Sequence, residues 1–125
     1  MEILKDFIKK VEQDQDVVAV MLFGSYALGK ERADSDVDVC LVLRPETFDP
    51  LKAFDKKVNL SDDARIDVQI YQSVPLYIRQ RILQDGKILF CRDEEALYEI
   101  ACKTITEFSD YEHIYVDYMK EVERG

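Results

Sequence analysis

The run VVAVMLF at 17–23 is short, continuous and rich in β-branched residues. Those features predict a strand buried on both faces, because no residue along it offers a side to water. A strand of that kind needs a sheet with cover on either side, and 125 residues supply one domain with one core. Everything else in the chain can be read against that requirement.

Before the run, Ile3, Leu4, Phe7, Ile8 and Val11 recur at helical spacing, predicting a short amphipathic helix that the polar EQDQD stretch ends. After it, Gly24 terminates the strand and residues 26–34 read as turn or short helix. VDVCLVL at 37–43 is a second strand with aspartates at its beginning. Leu51, Phe54, Lys57 and Val58 permit a modest helix, broken by NLSDDA. RIDVQIY at 65–71 is a third strand with Ile66, Val68 and Ile70 on one side and Asp67 and Gln69 on the other. Pro75 opens the next helix, whose apolar side carries Leu76, Ile78, Ile82 and Leu83. The Asp85-Gly86 pair then turns the chain into KILF, a fourth short strand.

Residues 94–122 read as one long helix with a seam of Leu97, Ala101, Thr104, Phe108, Tyr111, Tyr115, Tyr118 and Val122. Ile100, Ile105, Ile114 and Met119 widen that stripe beyond what a small sheet requires. The segment from Cys91 to Gly125 holds ten acids against four bases, so its polar face is acidic. Either the helix closes the domain's own core or it docks a partner. The fold class expected is α/β: a small mixed sheet flanked by helices, with a core at about 15–90 and a long C-terminal helix.

Seventeen Lys and Arg against twenty-six Asp and Glu give a formal charge of −9, a field that repels a nucleic-acid backbone or an anionic membrane. Direct nucleic-acid and membrane partners are therefore not expected. Cys40, Cys91 and Cys102 lack metal-ligand spacing and the single His113 lies far from them, which argues against a disulfide framework or a structural zinc site. The charged, periodic N-terminus is unlike a signal peptide, and the cytoplasm is the expected location.

The chemistry concentrates in GSYALGKERADSDVDVC, Gly24 to Cys40. Asp36 and Asp38 are two apart, so a strand puts both carboxylates on one face, where their repulsion invites a divalent cation. Hard oxygen donors suit Mg²⁺, and Asp67, on the polar side of the third strand, joins the pair if the two strands are neighbours. Three such carboxylates suit two ions. Gly24 and Ser25 provide close backbone approach and a hydroxyl for phosphate oxygens, and Lys30 and Arg32 offer positive charge at the rim. Each residue alone has a plainer reading, since glycines end strands, serines cap turns and aspartates solvate strand ends.

Together, GS, the DVD that follows ten residues later, and the aspartate of RIDVQI resemble the nucleotidyltransferase superfamily of DNA polymerase beta, and most closely its minimal nucleotidyltransferase branch. The resemblance covers residues 17–90 well, and DGKILF followed by a Tyr-containing helix is similar to members encoded beside a HEPN-domain protein. It implies that Gly24 and Ser25 grip the triphosphate of ATP. It further implies that Asp36 and Asp38 bind both Mg²⁺ ions, and that Asp67 completes the metal site and helps activate the acceptor hydroxyl. In such pairs the HEPN protein is an RNase toxin, and the nucleotidyltransferase is an antitoxin able to transfer AMP to a toxin tyrosine, the behaviour of a type VII-like system. One position departs from the pattern: where members often have Gly-Ser-x-Ala-Arg-Gly, this chain has Leu28, with Lys30, Arg32 or Lys87 as possible replacements for the missing charge.

The expected function is thus Mg²⁺-dependent transfer of AMP from ATP to a HEPN toxin. An antitoxin acting by binding alone, or an adenylyltransferase for a small molecule, is the alternative. Acceptor residue, base preference and the choice between homo- and hetero-oligomer are not legible.

Overall fold

A computed structural model describes residues 2–30 and 36–124, leaving aside the side chains at 115, 118, 123 and 124. Four strands form one mixed sheet in the order β3-β2-β1-β4. They are β1 (Val17–Phe23), β2 (Val37–Leu43), β3 (Ile66–Ile70) and β4 (Lys87–Cys91). β1 runs antiparallel to both β2 and β4, while β2 and β3 are parallel. The adjacency of β2 and β3, expected only from their order in the chain, is therefore present.

Helices cover both faces. α1 (Glu2–Glu12) and α2 (Pro50–Asn59) lie on one side, over a core built from Phe7, Val11, Val20, Val39, Val68 and Ala53. α3 (Leu76–Asp85) and α4 (Glu94–Arg124) lie on the other, where Ile82 and Leu97 pack with Ala19, Met21, Cys40 and Val42. β1 is central and is buried from Val17 through Leu22, which accounts for its unbroken apolar run. β3 is an edge strand and keeps a clean alternation, with Ile66, Val68 and Ile70 buried and Asp67 exposed.

The caps follow the sequence closely. Asp49 accepts from Leu51 N at 3.0 Å with Pro50 at the first helical position, starting α2. Asp93 accepts from Ala96 N at 3.0 Å and starts α4; that backbone hydrogen bond holds the Asp93 carboxyl below the usual carboxylate range. Arg92 ties the loop after α1 to the end of β4, donating to Glu12 O at 2.7 Å and to Val17 O at 3.2 Å.

Two helices differ from the expectation. α2 forms, but Leu51, Phe54 and Val58 face solvent and Ala53 is its buried residue. A methyl side chain lets the helix sit close to the sheet, and the larger apolar groups have no room on that side. The seam of α4 divides near Phe108: Leu97 and Thr104 are buried, whereas Tyr111, Ile114, Met119 and Val122 are exposed. The first half of the helix is thus core and the second half is free surface. No helix among the described residues is long and apolar enough to cross a membrane.

Where α4 enters the core, the buried Tyr71 hydroxyl and the buried Thr104 hydroxyl are hydrogen-bonded to each other. Tyr71→Phe keeps the shape but strands Thr104 without its partner, and should cost about 1 kcal/mol in urea unfolding. Adding Thr104→Val should return part of that loss, because neither polar group is then buried alone.

Candidate active site

β1 ends at Phe23, and Gly24 and Gly29 both take positive φ (71° and 68°), reversing the chain in a compact turn. The turn is closed by Leu28 N donating to Gly24 O at 3.3 Å and Lys30 N to Ser25 O at 2.8 Å. Over 24–29 it is a succession of turns and not a helix. Among the described residues no backbone carbonyl accepts from the N–H groups of Ser25, Tyr26 or Ala27.

The antiparallel register sets Phe23 opposite Asp38, and the parallel register sets Asp38 opposite Asp67. Asp38 and Asp67 therefore emerge on one face beside the Gly24 turn. It is the face that α3 and α4 cover farther along, since Cys40 and Val42 alternate with Asp38 on β2 and lie in that core. At the β2–β3 end the face stays open: Asp38 is half-buried, and Asp36 and Asp67 are exposed. A β-carbon on Gly24 would collide with the Asp38 carboxylate, so glycine is required here by the neighbour as well as by φ.

The Asp38 carboxyl is pushed above the usual carboxylate range, first by burial, then by the charge of Asp67 and then by that of Asp36, with a hydrogen bond that its protonated form donates to Asp67 adding to it. Among the described residues no trio of carboxylate, imidazole and thiol groups is drawn into a closed ligand cluster. Asp38 and Asp67 are the close pair, and Asp36, just before β2, acts on Asp38 through charge. This donor set fits a divalent cation: the ligands are hard oxygens, they repel one another, and a cation relieves that repulsion. Asp67 is oriented by its neighbours, since Gln69 Nε2 donates to Asp67 Oδ1 at 3.2 Å and Lys57 Nζ donates to Gln69 Oε1 at 3.4 Å. Cys40, two residues beyond Asp38, is buried, and burial pushes its thiol far up, so it is not a nucleophile.

The structure thus brings together Gly24, Asp38 and Asp67, with Asp36 near enough to act on Asp38 through charge and Ser25 next along the turn. Lys30 is exposed at the far end of the turn, and Arg32 lies outside the described residues. Lys87 stands opposite Leu22 at the Gly24 end of the sheet. The sequence reading missed Arg81. This α3 residue lines a pocket of about 300 Å³ with Gly24 and Leu28. The apolar period of α3 was the signal available, and it marks only the helix's buried side.

The profile described as "Polymerase beta, Nucleotidyltransferase" matches residues 5–95, which contain the turn and all three aspartates. The chain belongs to the polymerase beta nucleotidyltransferase family. Among curated relatives, the "Putative protein adenylyltransferase MJ1547" of Methanocaldococcus jannaschii is 33% identical over 75 residues, 59% of this chain and 56% of that protein. The alignment thus spans little more than half the length of that archaeal relative. Protein adenylyltransferase MntA of Shewanella oneidensis is 28% identical over 117 residues, 91% of this chain and 76% of that one. Among solved structures, a chain in a toxin-antitoxin crystal structure with AMP-PNP has a TM-score of 0.71 at 21% identity, covering 94% of this nucleotidyltransferase chain and 97% of its own. These structural likenesses agree with the mixed sheet and long terminal helix described above.

Proposed function

We propose that this family member is a Mg²⁺-dependent adenylyltransferase that moves AMP from ATP to a tyrosine hydroxyl of a cognate HEPN-domain toxin and so serves as its antitoxin. The observation that carries the reading is the register that sets Asp38 against Asp67 directly beside the Gly24 turn. Support for the acceptor class comes from the adenylyltransferase names of the relatives and from a structure of similar fold, the tri-AMPylated Shewanella oneidensis HEPN toxin in complex with its MNT antitoxin.

In this mechanism the N–H groups of the 24–29 turn and the Ser25 hydroxyl hold the β- and γ-phosphates, leaving the α-phosphorus over the open face. Asp36, Asp38 and Asp67 would hold the divalent ions, which when bound neutralise phosphate charge and favour ionisation of the acceptor hydroxyl. Asp67, exposed and hydrogen-bonded by Gln69, would receive the proton of the acceptor hydroxyl. The tyrosine oxygen forms its bond to the α-phosphorus as the bond to the β-phosphate oxygen breaks, and pyrophosphate leaves in line. Positioning and electrostatics account for most of such catalysis, so neither His113 nor a cysteine is needed.

The exposed apolar half of α4, with Ile114, Met119 and Val122, is the surface assigned to the toxin. Its acidic flank and the net charge of −9 favour a basic partner and speed association with it.

Incubating the chain with α-labelled ATP, MgCl2 and the purified HEPN protein should place label on a toxin tyrosine, located by mass spectrometry. Label that never appears, while the toxin is still neutralised with Asp36 and Asp38 both changed to Ala, would reduce the protein to an antitoxin acting by binding.

A further inference from the structure

Three large apolar side chains on one short helix face water. Leu51, Phe54 and Val58 of α2 are 77%, 62% and 54% exposed. At about 100° per residue they fall within about 60° of the helix circumference, on the side away from Ala53, which packs on the sheet. Single exposed apolar residues are ordinary, but three at steps of three and four have the spacing of a helix seam. Nothing in the catalytic reading uses this stripe. α2 covers the sheet face that carries Ile66, Val68 and Ile70, and Asp67 emerges on the other.

The charges of α2 divide into two sets. Lys56 is paired with Asp14 and Asp16, and Lys57 donates to Gln69, so both are committed within the chain. Lys52 and Asp55 are exposed, and among the described residues neither forms an ion pair. They lie side by side on one flank of the apolar stripe.

We propose that the outer face of α2 docks on the same face of a second copy of this chain, the two helices antiparallel about a two-fold axis level with Phe54. Such an axis turns one helix end for end and sets each flank against its own copy. Lys52 of each protomer then meets Asp55 of the other, twice over. The two Phe54 rings meet near the axis, and Leu51 reaches the partner's Phe54 and Val58. A foreign surface would need a matching order of charges, whereas a second copy carries it by symmetry. A ten-residue helix offers much less than the about 800 Å² per partner of a standard interface, so the dimer is weak, with a dissociation constant on the order of 0.1 mM or above. Both carboxylate faces stay open, because they lie on the far side of each sheet.

Sedimentation equilibrium of the full chain, without nucleotide or toxin, should show a monomer–dimer equilibrium between about 10 μM and 1 mM. Dilution over that range should shift the methyl NMR signals of Leu51 and Val58, a test that needs no variant. Phe54→Asp should hold the chain monomeric. Lys52→Asp and Asp55→Lys each set like charges together and should each weaken the dimer about tenfold or more. An equimolar mixture of those two variants should associate about as well as the unchanged chain, since every aspartate then faces a lysine. The substituted side chains are exposed, and circular dichroism checks that the fold is kept.

A chain that stays monomeric to about 1 mM, dilution shifts confined to other helices, or a mixture no tighter than its separate components would overturn the proposal. So would a Phe54→Asp variant that binds the purified HEPN protein less tightly while the unchanged free chain remains monomeric, because the toxin would then be the occupant of α2.

Discussion

Asp38→Asn should abolish AMP transfer, by at least about a thousandfold, while making the metal-free protein more stable. The two effects have one origin. Asp38 sits half-buried between Asp67 and Asp36, and the same crowding of negative charge that suits a cation strains the fold when no cation is there. An amide of equal size removes that repulsion and also removes a ligand. The gain should be roughly 0.5 kcal/mol at neutral pH, a modest figure because solvent still reaches the carboxyl.

Its pH dependence has a definite sign. The folded-state carboxyl keeps its proton to higher pH than the unfolded one, so this group favours folding fully below its unfolded pKa near 4 and loses that contribution as pH rises through the raised value. The advantage of Asp38→Asn in thermal melts with EDTA should therefore be absent at strongly acid pH and complete at neutral pH. Equal melting curves for the two proteins at every pH, or transfer that survives the change, would remove Asp38 from the centre of the site.

Gly24→Ala should be the most damaging single-methyl change in the turn. A left-handed backbone costs an L-residue about 1 kcal/mol, and the added carbon also strikes the Asp38 carboxylate, so the total should reach about 2–3 kcal/mol with loss of transfer. Gly29→Ala is the internal comparison. Its φ is nearly the same, but no atom of a described residue beyond its chain neighbours lies within 4 Å of the added carbon, so only the backbone cost of about 1 kcal/mol should appear. Urea unfolding of the two variants separates the terms. A Gly24→Ala protein as stable and active as Gly29→Ala would mean that Asp38 does not press against the turn.

Much of this arrangement was legible before the coordinates. β1 and β2 span the expected 17–23 and 37–43, because apolar runs bounded by glycine and aspartate leave little choice of register. The side that Asp67 takes followed from the alternation of RIDVQIY. Its neighbour across the ladder did not, since a period of two assigns faces and says nothing of which strand lies alongside.

Arg81 escaped for a related reason. The pocket is formed where the end of β1 meets α3, and no local pattern links segments so far apart in sequence. In α2 the apolar spacing was real but pointed outward, because the sheet edge accepts Ala53 and leaves Phe54 in solvent. In α4 the periodicity runs past Phe108 without a break, while the domain beneath it ends there.

The central position of β1 also sets an order of assembly. Met21 pairs with Cys40 on one side, whereas Ala19 pairs with Cys91 on the other, a closure spanning roughly four times as much chain and costing about 1 kcal/mol more in loop entropy. During synthesis the strand bearing Asp38 can pair with β1, and the strand bearing Asp67 with β2, while the opposite rim of β1 is still bare. Until β4 emerges, that bare rim presents unsatisfied backbone donors and acceptors to any passing chain, so the nascent protein is most prone to aggregate after its carboxylates have already come together.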